Sequence, residues 1–329
     1  MKKLLILGGT QFIGRNLVER LKGGGEYEIT LFNRQQTQAN LFQNIKKIKG
    51  DRETNDINIL TGKNWDCVID LSCYYPNSLE FLLSILKGRV DRYIFISTIS
   101  AYQLDSQLTE PIKENFEIHH CELSERTDKS IATYGNRKAE CERILQKAKW
   151  LDKIILRPSL VYGKYDPTDR FYYWLYKAHN QLPIILPDNG TDKITLTYVS
   201  DLVDIIIKSI SIQNHSTVYN ATTHEPLPLK AVIKSIDQFA QTITISSTDL
   251  INKGIKSGQD IPLWFNTPLI INNDQLRKDF DIDLTPFDQS VRETWNYYES
   301  LNWPQPKIGL DHKKENEIIY TDDKNAMAK

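Results

Sequence analysis

The chain of 329 residues is long enough to bury a sizeable core, as one large domain or two modest ones. Apolar residues make up 40% and charged residues 25%, a globular balance that argues against a disordered or collagenous chain. The 41 Lys and Arg residues nearly cancel the 42 Asp and Glu residues, so no nucleic acid is expected as a partner.

The four cysteines, Cys67, Cys73, Cys121 and Cys141, are scattered and lack the close pairs of a zinc site, so no metal is expected. Their scatter is typical of a reduced, cytoplasmic protein. The first apolar run, Leu4–Leu7, is too short for a signal peptide. No later run approaches membrane-spanning length, so no membrane partner is expected.

The first half of the chain alternates short apolar runs with amphipathic stretches, one of which has Ile13, Leu17 and Leu21 at helical spacing. Fully apolar strands separated by helices are typical of a parallel sheet covered on both faces. The sequence therefore predicts the doubly wound (Rossmann) α/β fold, with a ligand at the carboxyl ends of the strands. The predicted strands are residues 4–7, 29–32, 45–48, 67–71, 93–97, 154–156 and 217–220.

A glycine-rich turn follows the first predicted strand, and another glycine lies in the next helix. Glycine lets the backbone approach a pyrophosphate and lets the helix pack on the strand. The N–H groups at the helix N-terminus attract the same anion. The turn therefore predicts the phosphate site of a dinucleotide. Its residues are Gly8, Thr10, Gln11, Phe12, Ile13 and Gly14.

The residues after the second predicted strand bear on the choice between NAD and NADP. An NAD site usually has an acid about twenty residues past the glycine turn. Here Asn33 removes that negative charge and Arg34 can pair with a 2′-phosphate, so NADP is preferred over NAD. The alternative, in which Arg34 is only a solvated charge, stays open. Asp51, after the third strand, either accepts a hydrogen bond from the adenine amino group or caps a helix.

Tyr134 and Lys138 are four residues apart in a stretch with helical spacing, which places both on one face. A free tyrosine has a pKa of about 10, which a nearby ammonium lowers. Tyr134 is therefore predicted to exchange a proton with a substrate hydroxyl, with Lys138 lowering its pKa. Thr98, after the fifth strand, is predicted to hold the substrate oxygen, and Ser97 is the alternative.

Taken together, these motifs resemble the extended short-chain dehydrogenase/reductases, the NAD-dependent epimerase/dehydratase family. The resemblance runs in order over about residues 1–225. The motifs that carry it are the glycine turn, Ser97-Thr98, Tyr134-xxx-Lys138, the heptapeptide from Arg157 to Gly163 and the tetrapeptide from Tyr198 to Asp201.

The resemblance implies a seven-stranded sheet, a C-terminal substrate domain, and Thr98, Tyr134 and Lys138 as the catalytic trio. It also implies that Lys138 contacts the nicotinamide ribose and that Pro158 lies beside the nicotinamide. The remaining cofactor contacts expected on this basis are Leu71 and Ser72, after the fourth strand.

The sequence departs from the family's pattern at several positions. Gln11 stands where the glycine turn commonly has its middle glycine. Ile99 and Ser100 replace the Asp-Glu pair with which sugar 4,6-dehydratases move protons, which argues against that reaction. Ile194 stands where many nucleotide-sugar enzymes have a phosphate-binding arginine. The long segment 103–133 is where substrate contacts peculiar to this protein are expected.

The motifs also suggest a division into domains. The predicted parts are an NAD(P)-binding domain at 1–163 with a return segment at about 196–225, a smaller α/β substrate-binding domain at 164–195 and 226–306, and a polar tail at 307–329.

Residues near the start of the second domain give two weaker signals. Asp166 followed by Pro167 predicts the start of a helix. Just beyond it, Arg170 either holds an anionic group of the substrate or forms a salt bridge with Asp166 or Asp169. The sequence alone leaves both interpretations open.

We therefore predict an NAD(P)-dependent epimerase or oxidoreductase for a sugar, a nucleotide sugar or a related small molecule. Epimerisation and reduction both stay open, as does the homodimer that many relatives form. The alternative is an RNA-binding or non-catalytic nucleotide-sensing protein, because Gln11 and the Asn33-Arg34 pair also resemble chloroplast stem-loop RNA-binding relatives of the fold. The balanced charge and the Tyr134 and Lys138 pair argue against it.

Overall fold

The computed structural model describes residues 1–104, 110–265, 267–310 and 313–319. Residues 105–109 of the long segment 103–133 lie outside the described residues. The same holds for 311–312 and 320–329 of the predicted tail 307–329.

Strands and helices alternate through the first half of the chain, as the apolar pattern predicts. The strands are β1 (Lys2–Leu7), β2 (Tyr27–Asn33), β3 (Lys46–Lys49), β4 (Trp65–Asp70), β5 (Val90–Ile96), β6 (Asp152–Arg157), β7 (Leu160–Tyr162), β8 (Ile184–Pro187), β9 (Lys193–Ile194), β10 (Leu196–Tyr198), β11 (Val218–Asn220), β12 (Leu227–Pro228) and β13 (Thr242–Ile245). The α-helices are α1 (Phe12–Leu21), α2 (Pro76–Leu86), α3 (Tyr134–Lys147), α4 (Tyr172–His179), α5 (Val199–Ser209), α6 (Leu229–Ile236), α7 (Ser247–Asn252), α8 (Asp274–Phe280) and α9 (Phe287–Glu299). Short 3-10 helices lie at Asn55–Leu60, Ile99–Ala101, Glu125–Thr127 and Asp188–Gly190. None of the helices in the described part of the chain is both long and apolar enough to span a membrane.

The main sheet of the described residues has seven parallel strands in the order β3-β2-β1-β4-β5-β6-β11. The doubly wound fold is therefore confirmed. The strand predicted at 217–220 is β11, which returns to the sheet beside β6. Starting from β1, the chain adds β2 and β3 on one side of the sheet and β4, β5 and β6 on the other, so the strand order reverses between β1 and β4. At such a reversal a crevice opens outside the carboxyl ends of the strands.

Both faces of the main sheet are covered, which explains the continuous apolar runs of its strands. In β1, Leu4 and Ile6 belong to the core shared with α1 and α5, whereas Leu5 and Leu7 belong to the core shared with α2 and α3. All four side chains are fully buried. This two-sided packing holds the carboxyl edge of the sheet rigid beneath the crevice.

The region after β7 is built from short strands and from helices α4 and α6 to α9. The predicted helix start at Asp166 is wrong, because α4 begins at Tyr172. Asp166 Oδ1 instead accepts hydrogen bonds from the backbone N–H of Thr168 at 2.9 Å and from its hydroxyl at 2.7 Å. Aspartate favours such local turns as much as it favours helix starts, so the sequence pattern fits both.

The described part of segment 103–133 connects the main sheet to this second region. The backbone N–H of Ile112 donates to the carbonyl of Ile270 at 2.8 Å, and its carbonyl accepts from the N–H of Asn272 at 2.9 Å. Asn220, at the end of β11, donates from its amide to the carbonyls of Ile112 and Asn272 at 3.1 and 2.8 Å. The segment therefore joins the two regions beside the crevice.

Residues 313–319 of the predicted tail are helical and pack against α4. Lys177 forms a buried ion pair with Glu315, and Ile318 and Ile319 are buried in the larger core. This part of the tail is therefore integral to the folded chain.

Candidate active site

A cavity of about 910 Å³ opens at the carboxyl ends of the strands of the main sheet, where the strand order reverses. Its wall combines the turn after β1, the ends of β2 and β4, the residues after β5 and the first turn of α3. All of the site residues that the sequence predicts lie in this wall. They are Gly8, Thr10, Gln11, Phe12, Ile13, Gly14, Asn33, Arg34, Asp51, Leu71, Ser72, Ser97, Thr98, Tyr134, Lys138, Pro158 and Arg170.

The glycine turn brings backbone rather than side chains to the cavity. Gly9 has a φ of +96°, and a Cβ on Gly14 would lie 2.7 Å from the Cα of Gly9 and 2.9 Å from Leu71 Cδ1. Only glycine therefore lets α1 approach the turn so closely. Gln11 is the N-cap of α1 but makes no capping hydrogen bond with its side chain, so the first N–H groups of the helix remain available to an anion. These features fit the pyrophosphate of a dinucleotide.

The end of β2 presents a neutral side chain followed by a cation. Asn33 donates from its amide to the carbonyl of Gly8 and accepts from the N–H of Gln35, both at 3.0 Å, so it orders the local turn. The Arg34 side chain is 61% exposed, and its NH1 lies 3.9 Å from Asp51 Oδ2, which is too long for a hydrogen bond. Because this surface pair is weak, the guanidinium is available to a phosphate on the ribose.

Asp51 leads into the turn after β3. Its Oδ1 accepts a hydrogen bond from the backbone N–H of Glu53 at 2.9 Å. The 3-10 helix that follows is capped by Thr54, so the alternative in which Asp51 caps a helix is wrong.

Helix α3 begins at Tyr134, which lines the cavity together with Thr98. Thr98 Oγ1 accepts from the N–H of Ser100 at 3.1 Å and thereby caps the 3-10 helix after β5. Burial raises the pKa of Tyr134, and the polar side chain of Thr98 and the charges of Arg170 and Arg137 oppose this rise. The phenol is therefore protonated at neutral pH, the form that donates a proton.

Lys138 lies one turn further along α3 and is almost completely buried. Its ammonium donates to the carbonyls of Ile96 at 2.6 Å and Cys73 at 3.0 Å. It also lies 4.0 Å from the ring centroid of Phe95. The sequence predicts a lowered pKa for Tyr134 because of this ammonium, but burial raises that pKa instead. In this structure Lys138 holds α3 against the segments that follow β4 and β5.

The hydroxyl of Ser97 is engaged inside the protein. It donates to Glu142 Oε1 at 2.5 Å, and the same carboxylate forms a buried ion pair with Arg157. Arg157 Nε lies 2.9 Å from Glu142 Oε1, and its guanidinium lies 4.5 Å from the ring centroid of Tyr102. The Ser97 hydroxyl is therefore not available to a substrate. The Thr98 hydroxyl lines the cavity and donates to Ser100 Oγ at 3.2 Å.

Arg170 lines the cavity, and two acids, Asp166 and Asp169, lie near it in the sequence. Asp166 accepts hydrogen bonds from Thr168, and Asp169 Oδ2 accepts from the backbone N–H of Lys307 at 3.0 Å. Among the described residues no ion pair joins Arg170 to Asp166 or Asp169, so the salt-bridge alternative is wrong. The Nε of Arg170 donates to Thr168 Oγ1 at 3.2 Å.

The cavity wall also contains residues that the sequence analysis did not single out, Tyr74, Leu104, Phe265 and Leu269. The ring centroid of Tyr74 lies 6.2 Å from that of Tyr134. Tyr74 follows β4 closely, and a position just after a strand of a parallel sheet is a usable signal. Nothing in the sequence pointed to Phe265 and Leu269, which come from the second region. Within the described residues no cluster of three His, Cys, Asp or Glu side chains is placed to hold a metal ion.

The sequence matches known proteins over its first two thirds. The model of the NAD dependent epimerase/dehydratase family matches residues 4–80 and 77–221. The chloroplast stem-loop binding protein of 41 kDa b from Arabidopsis thaliana is 29% identical over 218 residues, which cover 61% of this chain and 53% of that protein. The match therefore spans about half the length of this curated relative.

Solved structures of similar fold cover nearly the whole chain. UDP-N-acetylglucosamine 4-epimerase from Methanobrevibacter ruminantium M1 has a TM-score of 0.71 at 17% identity and covers 91% of this chain and 99% of its own. UDP-glucuronic acid 4-epimerase from Bacillus cereus, in complex with NAD, has a TM-score of 0.70 at 16% identity, with 92% and 100% covered. dTDP-glucose 4,6-dehydratase from Bacillus anthracis, also in complex with NAD, has a TM-score of 0.71 at 18% identity, with 92% and 98% covered. At these identities the likeness concerns the fold.

Proposed function

The chain belongs to the NAD dependent epimerase/dehydratase family, and on this premise we propose that it is an NADP-preferring epimerase or reductase. It interconverts a hydroxyl and a carbonyl at one carbon of a sugar, a nucleotide sugar or a related small molecule. The observation that carries this proposal is that Thr98, Tyr134 and Lys138 lie together in the wall of the cavity that also contains the glycine turn. The division into a dinucleotide-binding domain at 1–163 and a substrate-binding domain at 164–195 and 226–306 is part of it.

The residues at the substrate end move a proton and hold an oxygen. When bound, the nicotinamide supplies a hydride acceptor or donor. In the direction of oxidation Tyr134 first releases its own proton to solvent. Its phenolate then accepts the hydroxyl proton of an alcohol substrate while the carbon-bound hydrogen leaves as hydride, and a carbonyl forms. In the reverse direction the protonated phenol of Tyr134 gives its proton to the carbonyl oxygen. Thr98 positions that oxygen, and Lys138 keeps α3 in register with the segments after β4 and β5.

Arg34 supports NADP as the preferred cofactor. The guanidinium is exposed and has only a distant acid near it, while Asn33 adds no negative charge. A phosphate on the ribose would form a charge-assisted hydrogen bond with Arg34. The two related structures in complex with NAD make NAD the alternative cofactor for this chain.

Dehydration is disfavoured by residues rather than by the comparisons. Ile99 and Ser100 follow Thr98 where 4,6-dehydratases of the family carry an Asp-Glu pair, and neither side chain is a strong acid or base. The similar structures nonetheless include a 4,6-dehydratase, so fold likeness does not support excluding this reaction.

The alternative of a stem-loop RNA-binding or non-catalytic protein is not favoured. It draws on the similarity to the chloroplast stem-loop binding protein. The near-zero net charge and the presence of Tyr134 and the buried Lys138 in the cavity wall speak against it. We also propose a cytoplasmic location, since the four cysteines are free and buried.

The test is to identify the nicotinamide cofactor that co-purifies with the protein, and then to supply that cofactor with a panel of sugars, nucleotide sugars and ketones. A reductase would consume NADPH in proportion to product. An epimerase would convert substrate with firmly bound cofactor and no net change in nicotinamide absorbance. Absence of any dinucleotide binding, together with a salt-dependent affinity for a stem-loop RNA, would contradict the proposal.

A further inference from the structure

Two of the four cysteines lie against each other beside the cavity. Cys73 belongs to the segment that follows β4, and Cys141 lies on α3. Their sulfur atoms are 3.9 Å apart, and both thiols are free and buried. Both side chains belong to the core shared with α2 and α3, whereas Cys67 lies in the core on the other face of the main sheet. The contact therefore joins two segments that are distant in the sequence.

Cys73 is the member of the pair that a small oxidant can reach. It is one of the residues that line the cavity, whereas Cys141 is fully buried and is not part of the described cavity wall. Because Cys73 is only 1% exposed, its position favours hydrogen peroxide, which is close to water in size, over a bulky oxidant such as oxidised glutathione.

The surroundings of the two thiols give them different reactivities. Burial raises the pKa of the Cys73 thiol, but the hydrogen bond with Cys141 and the charge of Arg52 outweigh burial, so this pKa lies below its ordinary value. Burial raises the pKa of Cys141. Since the thiolate is the nucleophile, Cys73 is the thiol that reacts first, and Cys141 is placed to react with its product.

The segment that carries Cys73 lies between α3 and the glycine turn. The Cys73 carbonyl accepts a hydrogen bond from the Lys138 ammonium at 3.0 Å. A Cβ on Gly8 would lie 3.5 Å from Leu71 Cβ and 3.8 Å from Ser72 Cβ, so the turn packs directly on this segment. A displacement of Cys73 toward α3 therefore also moves Leu71 and Ser72, two of the predicted cofactor contacts.

We propose that Cys73 and Cys141 form a reversible disulfide when hydrogen peroxide enters the cavity, and that this disulfide weakens dinucleotide binding. The Cys73 thiolate attacks one oxygen of peroxide, the O–O bond breaks, and Cys73 becomes a sulfenic acid while hydroxide takes up the proton that the thiol had released. The Cys141 sulfur then attacks the Cys73 sulfur, the S–S bond forms and the S–O bond breaks, and the hydroxide leaves with the Cys141 proton as water. Two electrons pass from the two thiols to one peroxide, which becomes two waters.

The new bond changes the positions of both segments. Disulfide sulfur atoms lie about 2.05 Å apart, compared with the 3.9 Å between these thiols. Side chains in a close-packed interior have little room to rotate, so the segment after β4 and helix α3 move toward each other. The inference goes beyond the proposed function, because it adds a site of oxidative modification behind the cavity wall.

The experiment uses the full-length protein, which is reduced with dithiothreitol, freed of it and exposed to hydrogen peroxide. Remaining thiols are alkylated after unfolding, and mass spectrometry of the proteolytic peptides identifies any linked pair. We expect a disulfide between Cys73 and Cys141, with Cys67 and Cys121 alkylated. Dinucleotide titration is expected to show about a tenfold loss of affinity after oxidation, because contacts of the displaced segment are lost, and dithiothreitol is expected to restore it.

Variants assign the two roles. Cys73→Ala is expected to form no disulfide and to have the same dinucleotide affinity with and without peroxide. Cys141→Ala is expected to stop at the sulfenic acid of Cys73, which dimedone labels. Cys67→Ala removes an equally buried cysteine from the other core and is the matched control, expected to respond to peroxide as the wild type does.

The outcomes separate this inference from the proposed function. Peroxide treatment that leaves all four thiols open to alkylation, or that links Cys73 to a different cysteine, would overturn the inference. A disulfide between Cys73 and Cys141 that leaves dinucleotide affinity unchanged would overturn it as well. If the reduced protein binds no dinucleotide, the proposed function fails, whereas the peptide map still decides whether the disulfide forms.

Discussion

The two ends of the cavity are built in different ways. At the dinucleotide end, the turn after β1 presents backbone groups, and its shape depends on Gly9 and Gly14, which have no side chains to adjust. At the substrate end, the proposed chemistry depends on side chains, among them those of Thr98 and Tyr134, which come from separate segments. The residues of the dinucleotide end are neighbours in the sequence. Those of the substrate end are distant in the sequence and are brought together by the fold.

This difference assigns cofactor binding and substrate selection to different parts of the cavity. A backbone turn at a helix N-terminus suits any dinucleotide pyrophosphate. Side chains that line the cavity, such as those of Thr98 and Tyr134, are the groups that can distinguish one substrate from another. Substitutions at the two ends should therefore have separable effects, on cofactor binding at one end and on turnover at the other.

The largest expected effect is at the substrate end. Tyr134→Phe removes the proton that the phenol donates, so kcat is expected to fall by about 10²- to 10⁴-fold. Dinucleotide affinity, measured by fluorescence titration, should stay unchanged because the substitution does not touch the glycine turn. Steady-state kinetics with any carbonyl compound that the wild-type protein reduces give the comparison.

Tyr74→Phe is the matched control for this substitution, since Tyr74 lines the same cavity 6.2 Å away from the Tyr134 ring. Its kcat should remain near that of the wild type. A large loss in Tyr74→Phe with full turnover in Tyr134→Phe would exchange the roles assigned to these two phenols.

The sequence predicted the dinucleotide end more completely than the substrate end. Apolar strands and a glycine turn are local patterns, and β1, α1 and Gly14 follow from them directly. The partners of Ser97 and Asp166 are decided by contacts that no spacing reveals. Ser97 is bound to Glu142 on α3, and Asp166 closes a local turn instead of starting a helix.

The contacts of Lys138 likewise could not be predicted from the sequence alone. Its four-residue spacing from Tyr134 is a helical pattern and placed both residues in the cavity wall. The two carbonyls that accept from its ammonium belong to Cys73 and Ile96, which are distant in the sequence. Burial of Tyr134, which raises its pKa, is likewise a property of the folded chain.

A second test at the substrate end concerns pH. Burial raises the pKa of Asp166 to about 6, and its Oδ2 has no hydrogen-bond partner in the structure. An acid with a folded-state pKa above its unfolded value of about 3.9 destabilises the fold when it is ionised. Its penalty is therefore present above pH 6 and is lost as the pH falls from about 6 to about 4, with a total of about 3 kcal/mol.

Asp166→Asn keeps the acceptor for Thr168 and removes the charge. The difference in unfolding free energy between this variant and the wild type, from urea denaturation, should shift in favour of the variant as the pH rises from 4 to 8. Other titrating groups cancel in this difference. A difference that does not vary with pH would place Asp166 in contact with solvent.

At the dinucleotide end, Gly14→Ala tests the close approach of α1 to the turn. The new Cβ would meet the Gly9 backbone, so the variant is expected to lose about 1–3 kcal/mol of stability through overpacking. Dinucleotide affinity should fall with it, since the turn must move. Inside a helix alanine is normally more favourable than glycine, so helix propensity alone would stabilise the variant. A loss of stability would therefore show that the contact with Gly9 outweighs helix propensity.

Gly24→Ala is the control, because a Cβ there meets nothing within 4 Å. Its stability should stay within about 0.5 kcal/mol of the wild type. Unchanged stability and dinucleotide affinity in Gly14→Ala would mean that the turn is not the phosphate site.

The smallest expected effect concerns Arg34, the exposed side chain on which the choice of cofactor depends. Arg34→Ala should weaken NADP binding by about tenfold and leave NAD binding unchanged, because one charge-assisted hydrogen bond to the 2′-phosphate is lost at an exposed site. Lys49→Ala, at the end of neighbouring β3 but outside the cavity wall, should change neither affinity. Equal losses for NAD and NADP in Arg34→Ala, or a wild-type preference for NAD, would make Arg34 a solvated charge. The dinucleotide end would then depend on backbone alone, and the contrast with the substrate end would be sharper still.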